Sequence, residues 1–145
     1  RDVGTLDSYW QSHMDFLGPK PKLDLNNKLW PIHSSAHNAA PTRIVESTLQ
    51  DCLVSDGCVI NQAKLSRCVL SSEVVVHEKC HLEDCIIMDD CEIKAGARLK
   101  KVIIDRFNTL EAKTSIGFSP DQDAQHYYID PDGIVVIPRG ISKWQ

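Results

Sequence analysis

The chain has 145 residues, of which 42% are hydrophobic and 25% are charged, as expected for one ordinary domain with a short appendage. Its formal net charge of -4 argues against a general nucleic-acid binder, which needs a basic excess to displace the counterions of phosphates. No apolar run approaches the ~20 residues that cross a bilayer, and no basic-then-apolar signal segment opens the chain. We therefore expect a cytoplasmic protein without nucleic-acid or membrane partners.

The first predicted element is a short amphipathic helix that begins near Thr5 and ends before Gly18 and Pro19. Its apolar face comprises Leu6, Tyr9, Trp10, His13 and Leu17. The segment that follows, up to residue 43, is rich in loop-forming residues and predicts a connector.

A repeat of seventeen residues dominates the chain from Leu53 onward and fills four lines, 53–69, 70–86, 87–103 and 104–120. Apolar residues recur within each line at spacings of six, six and five. The three columns are Leu53, Leu70, Ile87, Ile104; Val59, Val76, Ile93, Leu110; and Leu65, Leu82, Leu99, Ile116. A helix would return every three or four residues and an ordinary strand every two, whereas three returns per coil are typical of a triangular parallel β-helix. The sequence therefore predicts an all-β, hexapeptide-repeat solenoid of about four coils, stacked about 4.8 Å apart.

The segments beside the repeat are suited to covering the ends of the solenoid, which would otherwise expose unpaired strand edges. Residues 121–132 are polar and turn-forming, and Gly133–Ile137 reads as a final apolar strand before Pro138. This pattern predicts that the C-terminal segment covers one end of the solenoid.

Six cysteines lie within the repeat, at positions 52, 58, 68, 80, 85 and 91. They form no CxxC pair, which disfavours a zinc ribbon. Several of them occupy small or apolar columns, so we expect reduced thiols that fill the interior.

The opening ten residues, Arg1 to Trp10, resemble the segment that closes the nucleotidyltransferase domain of ADP-glucose pyrophosphorylases, or glucose-1-phosphate adenylyltransferases. The segments 23–25, 30–32, 102–106 and 133–137 are also similar to that family. The resemblance implies a left-handed β-helix and three parts. These are residues 1–20 as the helix-bearing end of the nucleotidyltransferase domain, 21–43 as a connector, and 44–145 as a regulatory and oligomerisation β-helix.

The activity implied by this resemblance is the joining of ATP and glucose 1-phosphate into ADP-glucose and pyrophosphate, with Mg²⁺, for glycogen synthesis. Asp2 matches a metal-binding aspartate of the family. The other catalytic motifs would lie upstream, so the chain alone is expected to be inactive.

The resemblance also implies an allosteric homotetramer that responds to phosphorylated effectors such as fructose 1,6-bisphosphate and AMP. Arg106, Arg139 and Lys143 match basic residues implicated in effector binding. Guanidinium groups hold phosphate oxygens in a bidentate fork, whereas Lys supplies a point charge.

Two other functions remain open from the sequence. One is a free-standing hexapeptide acyltransferase in which His77 or His81 is the general base. The other is a purely structural oligomerisation module from a non-catalytic paralogous subunit. In addition, Lys64, His81 and Arg98 share one column and predict an outward basic ladder that could hold an anion. The acidic residues nearby, Glu78, Glu83 and Asp84, favour a solvated face instead.

Overall fold

The computed structural model of the protein describes residues 6–15, 17 and 40–140. This part of the chain is one α-helix followed by a solenoid of short strands. In chain order the elements are α1 Leu6–Met14, β1 Arg43–Val45, β2 Thr48–Gln50, β3 Leu53–Val54, β4 Val59–Asn61, β5 Lys64–Ser66, β6 Val69–Leu70, β7 Val75–Val76, β8 His81–Glu83, β9 Ile86–Ile87, β10 Glu92–Ile93, β11 Arg98–Lys100, β12 Val102–Ile104, β13 Thr109–Leu110, β14 Ser115–Ile116, α2 Pro120–Ala124, β15 Tyr128–Ile129 and β16 Val135–Ile137.

Strands that are three apart in the chain pair in parallel and build the three faces of the solenoid. The first face has the order β1-β4-β7-β10-β13, and the second has the order β2-β5-β8-β11-β14. The third face runs β3-β6-β9-β12-β16, and β15 pairs antiparallel with β16 at its end. Four coils run from β1 to β12, and a fifth is completed by β16. The predicted parallel β-helix of about four coils is confirmed.

The repeat is one residue shorter in the first two coils than in the predicted frame. Leu53 pairs with Val69, sixteen positions on, whereas Val69 pairs with Ile86, seventeen positions on. The lost residue lies at the corner between the first two faces. There Lys64 follows Ile60 by four positions, while the paired residues of the next coil, Val76 and His81, are five apart.

This shorter corner changes which side chains of the first coils point inward. Val54 and Ile60, instead of the predicted Leu53 and Val59, share register with the inward residues Leu70 and Val76. The prediction for Leu53 and Val59 was therefore wrong by one position. The third predicted column is confirmed, and its members Leu65, Leu82, Leu99 and Ile116 are all buried.

Each corner turns through one residue in the left-handed region of backbone space. At the corner between the second and third faces these residues are Asp51, Arg67, Asp84 and Lys101. Their φ angles lie between 52° and 54°. A left-handed conformation costs a non-glycine residue about 1–2 kcal/mol. The corner amides offset this cost by donating to the preceding coil, as Arg67 N does to Gln50 O at 2.9 Å.

The interior of the solenoid is a continuous stack of aliphatic and thiol side chains. Five of the six cysteines are buried, Cys52 is half-buried, and all six are free thiols, as predicted. Neighbouring coils place them in the same columns as Val and Ala, so they act as small apolar groups.

Helix α1 packs across the outside of the third face. Met14 and Leu17 are buried there against Ile86, Ile103 and Ile134. Trp10 fixes the helix, because its Nε1 donates to Asp84 O at 3.0 Å and its ring lies 5.0 Å from Lys101 Nζ. The predicted helix is confirmed, although its most buried side chain is Met14, which the predicted apolar face omitted.

An insertion between β14 and β16 covers the C-terminal end of the solenoid, as the sequence predicts. The buried Asp123 carboxylate accepts the Gly117 amide at 2.9 Å, and the buried Asp130 carboxylate accepts the Ile134 amide at 2.8 Å. Tyr127 and Ile129 pack against the end of the core. Among the residues that the structure describes, no helix is long and apolar enough to cross a membrane.

Candidate functional site

Two of the predicted effector residues lie at one corner of the last complete coil. β12 and β16 pair in parallel, with Ile104 opposite Ile137, so the residues that follow them leave the third face side by side. Gly140 N donates to Arg106 O at 2.8 Å, which fixes the two segments together. Arg106 and Arg139 are both exposed. Within the described ranges, neither arginine forms an ion pair.

The corner is held rigidly by residues that the sequence did not single out. Asn108 Nδ2 donates to Asp105 O at 2.9 Å and to Pro138 O at 2.8 Å, and so joins both segments. Gly140 is required by close approach, because a Cβ there would lie 1.9 Å from Phe107 O. The two guanidinium groups are therefore presented from a fixed backbone.

Phe107 and Asp105 orient the charges of this corner. The Phe107 ring lies 5.0 Å from the Arg139 guanidinium carbon, a cation–π contact that leaves the guanidinium edge open to a ligand. Asp105 Oδ1 accepts the Arg106 amide at 2.7 Å. The Asp105 carboxylate thus caps the backbone turn that carries Arg106.

Tyr9 of helix α1 packs on the outside of the third face, within electrostatic range of Asp105 and Arg106. Burial raises the pKa of the Tyr9 hydroxyl, the Asp105 carboxylate adds to the rise, and the positive charge of Arg106 opposes it. We refer to Asp105, Arg106, Phe107, Asn108 and Arg139 together as the arginine corner.

The signals for the missed residues differ. Asn108 occupies the column of Cys58, Val74 and Cys91, since Glu92 pairs with Thr109 in the next position. A polar residue in an otherwise apolar column is a signal that the repeat could have given. Phe107, in contrast, sits at a corner position that the preceding coils fill with Gly57, Glu73 and Asp90, so the repeat gives no signal for an aromatic residue there.

The predicted basic ladder forms on the second face. Lys64 pairs with His81 and His81 with Arg98, and all three side chains are exposed. They line a groove of about 320 Å³.

A family model described as GlmU-like, C-terminal hexapeptide matches residues 35–137. The chain belongs to this family. The match covers the four coils from β1 to β12 and the fifth coil, which β16 completes.

The curated relatives of this hexapeptide chain carry the name glucose-1-phosphate adenylyltransferase. The protein from Thermodesulfovibrio yellowstonii is 36% identical over 139 residues, which cover 96% of this chain and 34% of the relative. Enzyme 2 of Alkalilimnicola ehrlichii is 36% identical over 143 residues, covering 94% of this chain and 34% of the relative. Enzyme 1 of Vibrio parahaemolyticus is 33% identical over 145 residues, covering 97% and 36%. The chain thus spans about a third of the length of the relatives it matches, and the resemblance seen in the sequence is confirmed.

Two predicted site residues, Asp2 and Lys143, lie outside the described residues, so their predicted roles stay predictions. Asp2 is the predicted ligand of the expected Mg²⁺. Within residues 6–15, 17 and 40–140, no group of three or more His, Cys, Asp or Glu side chains could hold a metal ion.

The two histidines of the acyltransferase alternative lie apart. His77 Nε2 contacts Glu92 Oε2 at 2.7 Å at the edge of the first face, and His81 belongs to the second face. The Glu92 contact ties His77 to the neighbouring coil.

Proposed function

We propose that the chain is the regulatory and oligomerisation part of a glucose-1-phosphate adenylyltransferase, which makes ADP-glucose and pyrophosphate from ATP and glucose 1-phosphate in glycogen synthesis. The names of the relatives and the one-third coverage support this proposal. The nucleotidyltransferase chemistry and the ATP site belong to a preceding domain, which also supplies the second carboxylate that holds Mg²⁺ together with Asp2. The whole enzyme is a cytoplasmic homotetramer. The chain alone is inactive in this proposal.

The arginine corner is the proposed allosteric site for a phosphorylated effector of the fructose 1,6-bisphosphate or AMP type. The single observation that carries this proposal is the convergence of Arg106 and Arg139, which are 33 positions apart in the chain. Two exposed guanidinium groups on a rigid corner provide two bidentate donors for phosphate oxygens. Lys143 follows Arg139 closely in the chain and would add a third positive charge.

The test removes one guanidinium at a time from the enzyme that contains this chain. Arg106→Ala and Arg139→Ala should each weaken the response to fructose 1,6-bisphosphate and AMP. A lost charge-assisted hydrogen bond costs about 1.5–3 kcal/mol, so effector concentrations at half-effect should rise roughly ten- to a hundredfold. The measurement is ADP-glucose formation at a series of effector concentrations, with basal activity as the internal reference.

Arg43→Ala is the matched control, because Arg43 is an exposed arginine at the opposite end of the solenoid. Unchanged effector responses in both corner variants would favour the purely structural oligomerisation module over a regulatory one. The oligomerisation part of the proposal has a separate measurement, the mass of the assembly by light scattering. A monomeric parent enzyme would contradict it.

A further inference from the structure

The second face of the solenoid carries a groove that the proposed regulatory site does not use. Its floor is two outward columns of side chains. The first column contains Thr48, Lys64, His81 and Arg98, and the second contains Gln50, Ser66 and Glu83. The inward residues Leu65, Leu82 and Leu99 fix these strands to the core. The strands that carry the groove are therefore anchored in the core.

Positive charge dominates this face. Lys64, Arg98 and Lys100 stand against one carboxylate, Glu83, which faces Lys100 in the neighbouring rung. His81 lies between Lys64 and Arg98. No ion pair between described residues involves any of these groups. Successive rungs are about 4.8 Å apart, so the first column presents side-chain donors at regular, short intervals.

Phe118 closes one end of the groove, and the close packing of Gly117 fixes its position. Gly117 crosses Lys100 so closely that a Cβ would lie 2.0 Å from the Lys100 carbonyl oxygen. The Gly117 amide is held by Asp123, and the next residue, Phe118, turns its ring towards the groove. The Arg98 guanidinium carbon lies 4.8 Å from the centre of that ring. Phe118 thus restrains Arg98, which lowers the entropy that the guanidinium would lose on binding.

We propose that this groove binds a small anion that carries two or more phosphate groups. Lys64 and Arg98 contact separate phosphates, and His81 lies between them. Thr48, Gln50 and Ser66 provide neutral donors for the remaining oxygens. A second copy of the chain is a poor occupant, because pairing two such faces would bring like charges together.

The experiment is a titration of the isotope-labelled chain with inorganic tripolyphosphate, followed by amide chemical shifts. Saturable shifts are expected at residues 64–66, 81–83 and 98–100. Lys64→Gln and Arg98→Gln should each weaken the affinity about tenfold, because each removes one charged donor but keeps a side chain of similar length. Inorganic orthophosphate, which cannot reach both cations at once, should bind at least tenfold more weakly than tripolyphosphate.

Two control variants separate this groove from other basic sites. Arg43→Gln removes a charge from the first face and should leave the affinity unchanged. Arg106→Gln removes a charge from the arginine corner and should leave the shifts at 64–66, 81–83 and 98–100 unchanged, so failure of the regulatory proposal would not affect this result. Shifts confined to the arginine corner would overturn the proposal. Equal affinities of wild type, Lys64→Gln and Arg98→Gln would overturn it as well.

Discussion

At the scale of single residues, the thiols show how closely the corners of the solenoid are packed. Cys91 is 1% exposed and its Sγ lies 3.1 Å from Asp105 O of the next coil. Val74 occupies the same column one coil earlier. Burial, the largest cause, raises the pKa of the Cys91 thiol to about 11, because the interior disfavours the thiolate. The neighbouring carboxylates Asp105, Asp90 and Asp89 raise it further.

This raised pKa predicts a loss of stability in alkali. A thiol whose pKa is higher in the folded state than its ordinary 9.0 holds its proton more tightly when folded. Its contribution is fully present below pH 9 and is lost as the pH rises towards 11, by up to about 2–3 kcal/mol. Cys91→Val should therefore lose less stability than the wild type between pH 8.5 and about 11, as measured by urea unfolding.

Comparing the two proteins at each pH removes the background from other groups that titrate in this range. At neutral pH the substitution should change the free energy of unfolding by no more than about 1.5 kcal/mol, because Val fits this column in the preceding coil. Parallel stability curves for wild type and Cys91→Val would contradict this, because they would show that the Cys91 thiol has the same pKa in the folded and the unfolded state.

At the scale of elements, the apolar period predicted the coils because each face contributes one inward residue, as Leu82 and Leu99 do on the second face. It misplaced Leu53 and Val59 because each is followed by another apolar residue, Val54 and Ile60. A register shift of one residue at the shortened corner is therefore not visible in the apolar pattern. The repeat could not predict that Arg106 and Arg139 lie close together, because an insertion separates β14 from β16. Only the family resemblance brought those arginines together in advance.

Helix α1 is a separate case, because its amphipathic face is visible in the sequence but its partner is not. The helix packs on Ile86, Ile103 and Ile134, outward residues of the third face that alternate with the inward core. Apolar residues on the outside of this face are the signal that something covers it. Ile86 and Ile103 are seventeen residues apart and so occupy one column of the repeat, but the repeat does not identify what packs on them.

Met14→Ala should loosen this helix without unfolding the solenoid. Met14 is 2% exposed, and truncation of a buried Met costs about 2–5 kcal/mol. Because the described side chains of α1 pack on the outside of the third face, we expect this cost as local opening. Amide exchange should accelerate at least tenfold over residues 9–14 and stay unchanged in β5, β8 and β11.

Ser12→Ala is the control, since Ser12 Oγ bonds only to Ser8 O within the helix. Faster exchange throughout the coils in Met14→Ala would show instead that α1 and the solenoid unfold as one unit.

At the scale of the whole molecule, stability should be distributed along the stack of coils. Each coil contacts only its neighbours, so the free energy is approximately a sum of coil terms and interfaces between coils. The insertion with Tyr127 and Ile129 covers one end of the core. At the other end, Ile44 in β1 is 53% exposed. The two ends of the described solenoid therefore differ in how well the core is covered.

Leu82 and Leu49 allow this difference to be measured with the same substitution in one column. Leu49 pairs with Leu65 and Leu65 with Leu82, so the two residues occupy equivalent inward positions two coils apart. Leu82 is 2% exposed and has a coil on each side, whereas Leu49 is half-buried in the first coil. Leu82→Ala should cost about 2–5 kcal/mol in the free energy of urea unfolding, and Leu49→Ala clearly less. Equal costs would contradict the uneven stack, because they would require the outer side of the first coil to be covered as completely as that of a central one.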